Sequence, residues 1–142
     1  MKRVLSIASV LFAFVFAVSL AAQAPAKIGS EADYAATMKE VGSLAGGLTK
    51  AIKGGDAAEA GKAVPRLEVL FKSVHAYWSD KKVADATTAA ATAITSLGAV
   101  SKALAANDMA AAETARGNLA AQCMGCHKEH REKTPEGGWK MK

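Results

Sequence analysis

Cysteine, proline and aromatic residues are scarce in this chain, whose 142 residues include two cysteines, three prolines and 6% aromatic side chains. Runs of β-branched residues are almost absent, alanine is abundant, and the glycines and prolines cluster at a few points. This composition favours helix throughout, so an all-α fold is predicted. The net charge is only +5. Because the sequence has neither a basic stripe nor an aromatic platform, nucleic acid is excluded as a partner.

The start of the chain has the organisation of a secretory signal peptide. Two basic residues precede an uncharged apolar run over 4–20, and small residues follow it. Pro25 disfavours cleavage directly before it, so cleavage by about residue 22 is predicted, which separates a signal peptide (1–22) from a single domain (23–142). The protein is then expected in the periplasm, free of the membrane. An uncleaved membrane anchor is the alternative, because the run of 17 residues is only slightly short of a comfortable span.

The chemistry-bearing motif is the segment C-M-G-C-H at 123–127. It follows the pattern C-x-x-C-H, which is typical of covalent attachment of a c-type haem. The thiols of Cys123 and Cys126 would add across the two vinyl groups of the haem, which leaves no cysteine for a disulfide. His127 would offer a neutral imidazole nitrogen to the iron as the proximal ligand. On a helix these three side chains share one face, so a flat macrocycle can lie along it.

Two other interpretations of this motif are a thiol redox pair and a zinc site. The pattern C-x-x-C also occurs in thioredoxin-type proteins, but there a strand leads into a helix, and nothing strand-like precedes Cys123. A zinc site would use Cys123, Cys126, His127 and His130. These four residues crowd one face of one helix, whereas a tetrahedral site is usually closed from two chain segments. The haem interpretation is therefore preferred.

Capping signals, apolar periodicity and helix breakers predict four helices. Pro65 should kink the second helix or indicate a slightly later start, and Pro135 should stop the fourth. The remaining tail is expected to fold back on the bundle with Trp139 as its only anchor. The predicted bounds are Ser30 to Gly54, Asp56 to Trp78, Val83 or Asp85 to Ala106, and Met109 to about Lys133.

Apolar residues at spacings of three and four form an inward face on each of the first three helices. Four helices with short connections pack most simply as an up-down-up-down four-helix bundle, with haem c on the C-terminal helix. The predicted inward faces comprise Tyr34, Met38, Val41, Ala45, Leu48 and Ile52; Ala60, Val64, Leu67, Phe71, Val74 and Trp78; and Ala86, Ala90, Ala93, Leu97, Val100 and Leu104.

The first helix also carries a candidate ligand. The free face of a haem attached to the last helix would face the first helix, where Met38 lies on the inward face. A methionine in such a position is otherwise core filler. Gly42, Gly46 and Gly47 are unfavourable inside a helix by about 1 kcal/mol each, which indicates either the close approach of a bulky group or a weak local sequence. Met109 and Met141 are the alternative sulfur ligands.

With its C-terminal C-x-x-C-H, four predicted helices and signal peptide, the chain resembles the class II c-type cytochromes, the group containing cytochrome c prime and its low-spin relatives. The resemblance covers essentially the whole mature chain. It implies that a methionine of the first helix, typically in a Met-Lys pair, is the sixth iron ligand, and Met38-Lys39 matches this pair. The arginine often found one turn earlier is replaced by Tyr34. Arg131 matches a basic residue beside the proximal histidine, or is simply exposed.

The resemblance implies a periplasmic electron carrier with one haem c, ligated by His127 and Met38, that exchanges electrons with redox partner proteins. A six-coordinate iron has no vacant position for a substrate, so no enzymatic activity is expected. Such bundles often form homodimers through their first two helices. The first alternative is a five-coordinate protein that binds NO or CO. The second, from a different functional class, is a zinc-stapled helical binding module.

Overall fold

A computed structural model describes residues 25–142 of the chain. The predicted signal peptide at 1–22 lies outside the described residues. The described part contains four helices and a short two-stranded hairpin, so the prediction of four helices is confirmed. The elements are α1 (Glu31–Lys53), α2 (Ala57–Asp80), α3 (Ala84–Ala105), α4 (Met109–His130), β1 (Arg131–Lys133) and β2 (Trp139–Met141).

The helices begin where the capping residues predict. The side-chain oxygens of Ser30, Asp56 and Asp108 accept hydrogen bonds from backbone N–H groups three residues further on, at 3.1, 2.8 and 2.9 Å. These bonds satisfy donors that the first turn of a helix leaves unpaired. By contrast, α3 begins after Val83, whose side chain makes no capping bond.

Three connections of three residues each join the helices. The middle residue of each adopts a left-handed backbone conformation, with φ values of 73° at Gly55, 58° at Lys82 and 54° at Asn107. The next backbone N–H then donates to the carbonyl five residues back, at 2.9 to 3.1 Å. This arrangement satisfies carbonyls of the preceding helix and reverses the chain within a few residues. Consecutive helices are therefore antiparallel neighbours.

The four helices form a closed bundle. Each helix packs against the next along the chain, and α1 also contacts α4. The α1–α4 contact is the least extensive of these pairings. The bundle is therefore well packed on three sides and more loosely packed on the fourth, between α1, which carries Met38, and α4, which carries the cysteines.

The predicted inward faces form the core. All the predicted inward residues of α2 and α3 are buried, as are Val41, Leu48 and Ile52 of α1. Tyr34, Met38 and Ala45 of α1 are only half-buried. The inward face of α1 is therefore incompletely covered toward its N-terminal end, where Tyr34 and Met38 lie.

The helix α2 continues without interruption through Pro65, nine residues after its capping residue.

The end of α4 differs from the prediction. The helix stops at His130 instead of continuing to about Lys133, because the next three residues pair as β1 with β2 in an antiparallel hairpin. Pro135 disfavours helical conformation in the residue before it, and Gly137 supplies a φ of 82° in the turn.

The anchor of the tail also differs from the prediction. Trp139 is 51% exposed, so it is not the contact that holds the tail to the bundle. Met141 instead packs against a buried cluster that contains Tyr77 and Trp78. The backbone N–H of Lys142 donates to the His130 carbonyl at 3.1 Å. The hairpin is therefore folded back onto the end of α4 and fixed there by Met141.

Candidate cofactor site

The second half of α4 lacks the cover that the first half has. Ala112, Ala115 and Leu119 are buried, whereas no residue between 120 and 130 is. Cys123, Cys126 and His127 are half-buried, and their spacing places them on one face of the helix. The sequence therefore continues a bundle helix past the point where the protein itself covers it.

Two adjacent cavities of about 350 and 190 Å³ lie against this uncovered face. Both are bordered by Cys126 and His127 of α4 and by Tyr34 and Met38 of α1. The smaller cavity also borders Cys123, and its other walls are mainly apolar side chains of all four helices. Volumes of this size, apolar walls and a few convergent polar groups are typical of cofactor and ligand sites.

The cavities lie at the junction of two buried clusters. Cys123 packs against the larger cluster, which fills most of the bundle, and Cys126 packs against the smaller one around Tyr77 and Trp78. Met38 contacts both clusters. The two thiols, the imidazole and the thioether proposed from the sequence are therefore brought together around the same space, although the sequence separates Met38 from Cys123 by more than eighty residues.

The structure distinguishes between the two alternative sulfur ligands, Met141 and Met109. Met141 borders the larger cavity together with Met38 and His127. Met109 is the first residue of α4, fourteen positions before Cys123, which corresponds to about 21 Å along a helix. Met109 is therefore too far away to ligate, whereas Met141 stays beside Met38 as a second thioether at the site.

Partial burial sets the protonation of the site. Burial, together with the positive charge of Arg131, lowers the pKa of His127, so its imidazole is neutral near pH 7 and has a free nitrogen lone pair. Burial raises the pKa of both cysteine thiols. A thiol redox pair needs the opposite shift, because the thiolate is the reactive form. This electrostatic environment suits a nitrogen ligand better than a reactive thiol.

The donors fit a covalently attached haem better than a zinc ion. Within residues 25–142, no group of three or more histidine, cysteine, aspartate or glutamate side chains is placed to hold a metal ion. His130, the fourth zinc ligand in that interpretation, has its Nε2 2.7 Å from Asp85 Oδ2. Paired thiols beside an imidazole, with a thioether across an apolar space, match the requirements of haem c.

Of the three glycines in α1, only Gly42 is linked to the site. It borders the smaller cavity, and a Cβ built there would meet no atom within 4 Å. All three glycines are exposed, but Gly46 and Gly47 do not border either cavity. The expectation of a bulky group close to the backbone therefore applies to Gly42 alone.

An aromatic wall beside the site was not predicted from the sequence. Trp78 Nε1 donates to Tyr34 Oη at 3.0 Å, and the ring centroids of Tyr34 and Tyr77 are 4.8 Å apart. The ring of His130 lies 5.2 Å from that of Trp78. Burial raises the pKa of Tyr34 to about 12. The clue in the sequence was that Tyr34 and Trp78 stand on predicted inward faces, but their mutual contact depends on how the helices pack.

Comparisons of the chain with protein-family models, with curated proteins and with solved structures gave no match. None of the helices within residues 25–142 is both long and apolar enough to cross a membrane. What supports a function is therefore the helical bundle and the residues gathered around its cavities.

Proposed function

We propose that this protein is a periplasmic c-type cytochrome that carries one haem c and transfers single electrons between redox partner proteins. One observation carries the proposal. The two thiols and the imidazole of C-x-x-C-H lie on the one stretch of α4 that the bundle leaves uncovered, and they face apolar cavities whose opposite wall holds Met38. A large flat apolar cofactor would complete the packing at this place.

When bound, haem supplies an iron centre that accepts or releases one electron. The chain's own residues would set its properties. His127, kept neutral by burial and by Arg131, would be the proximal ligand. Met38 would be the distal ligand from α1, and a histidine–methionine pair raises the reduction potential. The apolar residues of both buried clusters would keep water away from the centre.

The experiment is an intact-mass measurement combined with an optical spectrum of protein purified after natural export. One covalently attached haem per chain and a sharp band in the reduced state are expected, with a weak far-red band from the sulfur–iron bond. The matched variant is Cys123→Ala with Cys126→Ala, which should release its haem on acid–acetone extraction. Exported protein with no added tetrapyrrole would overturn the proposal.

A second candidate is a five-coordinate protein that binds NO or CO. The smaller cavity favours it, because this cavity extends past Met38 along α1 to Ala45 and has apolar walls that suit a diatomic gas. In this case Met38 does not ligate, and the spectrum is broad and shifts when CO is added. A spectrum that CO leaves unchanged excludes this candidate.

A further inference from the structure

The two exposed large hydrophobic side chains among residues 25–142 lie at the same place. Met124 is 67% exposed and Trp139 is 51% exposed. Both border one open surface depression, which also borders His127, Lys128 and Arg131. Single exposed apolar residues are normal on protein surfaces, whereas a pair that shares a depression indicates an interaction site.

Cations surround the tryptophan. The Arg131 Cζ lies 3.9 Å from the centroid of the Trp139 ring, and the Lys133 Nζ lies 5.5 Å from it. Within the described part of the chain, neither cation has a carboxylate at ion-pair distance. The buried Nε of Arg131 also has no hydrogen-bond partner there. Tryptophan, methionine and arginine are among the residue types enriched at the centres of protein interfaces.

We infer that this surface, formed by Met124, Lys128, Arg131, Lys133 and Trp139 and called the Trp139 patch, docks a protein partner. The partner's surface would be acidic around an apolar centre. Its carboxylates would pair with Arg131 and Lys133, and its apolar residues would cover Trp139 and Met124. The role of this docking surface in electron transfer rests on the proposed function, because a partner bound here would contact His127 and therefore lie beside the proposed haem.

Charge distinguishes this partner from other occupants. A second copy of the chain would bring like charges face to face, because Arg131 and Lys133 of each copy flank its Trp139. An anionic membrane that covered the patch would also meet Glu129, whose Oε1 lies 3.9 Å from the Nζ of Lys128. A continuous anionic surface would repel this carboxylate, whereas a protein surface can place its charges around it.

The test uses ¹⁵N-labelled exported protein in its reduced state and a synthetic peptide of glutamates around a central leucine. Titration should shift the amide signals of β1 and β2 and the indole signal of Trp139. The shifts should disappear at about 1 M salt, where the Debye length falls to roughly 3 Å. The same peptide with glutamine in place of glutamate should cause no shifts.

Three variants separate the charge from the apolar centre. Lys133→Glu should weaken peptide binding about threefold or more, because reversing a charge at the rim of an interface removes attraction and adds repulsion. The matched control is Lys102→Glu in α3, which makes the same change in net charge. Lys102 lies seventeen residues along α3 from Asp85, the residue that contacts His130 at the end of α4, so this variant should leave binding unchanged. Met124→Gln should weaken binding without touching the hairpin, since Met124 lies on the exposed face of α4.

Peptide shifts on another surface, equal losses in Lys133→Glu and Lys102→Glu, or unchanged binding in Met124→Gln would overturn the inference. So would binding to anionic lipid vesicles that Lys133→Glu abolishes while the peptide causes no shift. The intact mass of the same preparation tests the proposed function separately. A preparation without haem that still binds the peptide at the Trp139 patch would contradict the cytochrome proposal and support the docking surface.

Discussion

The two halves of α4 differ in how completely the protein covers them. In the first half, Ala112, Ala115 and Leu119 are buried against the largest cluster of the core. In the second half no side chain is buried, although this half carries the C-x-x-C-H motif and contacts both buried clusters and both cavities. One end of the bundle is closed by its own side chains, and the other leaves an apolar face open.

The two ends of the bundle differ in the side chains that stand at inward positions. At the closed end, apolar residues at helical spacing fill the space between four helices. At the open end, the same spacing places Cys123, Cys126 and His127 on the inward face of α4. The helix thus continues for three turns beyond its last buried residue, and the proposed haem would cover this uncovered face.

The largest effect on stability should come from the closed end. Leu97 is fully buried in α3, and Leu97→Ala should lower the free energy of unfolding by about 3 kcal/mol, through lost apolar burial and the cavity left behind. Urea unfolding followed by circular dichroism measures this loss. The control at the open end is Met124→Ala, which should stay within about 0.5 kcal/mol. A similar loss in both variants would remove the contrast between the two ends.

The second effect concerns the two thioethers beside the larger cavity. Met38→Leu keeps the volume and removes the sulfur, so it should cost less than about 1.5 kcal/mol in stability. It should nevertheless change the proposed haem from low-spin to high-spin and let CO bind, which an optical spectrum records. Met141→Leu is the matched control and should leave the spectrum unchanged. If Met141→Leu instead changes the spectrum and Met38→Leu leaves it unchanged, the hairpin supplies the ligand and α1 does not.

The third effect concerns the aromatic wall. Tyr34→Phe removes the acceptor of the buried Trp78 Nε1–H and should cost about 1 kcal/mol at neutral pH. The pKa of Tyr34 is raised to about 12, above its ordinary value of 10, so its contribution to stability is present below pH 10. The contribution is then lost as the pH rises toward 12, because the unfolded chain releases the proton first. The advantage of the wild type over Tyr34→Phe should therefore shrink over this range.

Tyr77→Phe is the control for this pair. The Oη of Tyr77 is buried and has no hydrogen-bond partner among the described residues, so its removal should not destabilise the protein. Equal losses in the two variants, measured by urea unfolding at pH 7, would show that ring packing is what matters here and that the hydrogen bond contributes nothing.

Much of the fold could be predicted from the sequence because its determinants are local. The capping residues Ser30, Asp56 and Asp108, together with apolar spacing, located the helices and their inward faces. The haem motif likewise required only five consecutive residues. Haem binding, electron transfer and the periplasmic location stay predictions, because they depend on a group and a compartment outside the chain.

The features that were missed depend on contacts between distant segments. The hairpin forms because Arg131–Lys133 can pair with Trp139–Met141, a pairing that helical periodicity does not reveal. The bond from Trp78 to Tyr34 joins residues 44 positions apart, and the contact of His130 with Asp85 joins residues 45 positions apart. The cavities are also invisible to sequence patterns, since they are what remains after four helices have packed.

The smallest effect should come from the contact between His130 at the end of α4 and Asp85 at the start of α3. The hydrogen bond from His130 lowers the pKa of Asp85, so this contact contributes stability above the ordinary pKa of an aspartate. The contribution is lost as the pH falls through the lowered value, because the native state takes up the proton later than the unfolded chain. Asp85→Asn should therefore slightly lower the urea midpoint at pH 6 and remove part of its decline at acid pH. Asp80→Asn, also exposed but outside this contact, should keep that decline. Equal acid profiles in the two variants would mean that the open end of α4 is held in place by Met141 and the hairpin alone.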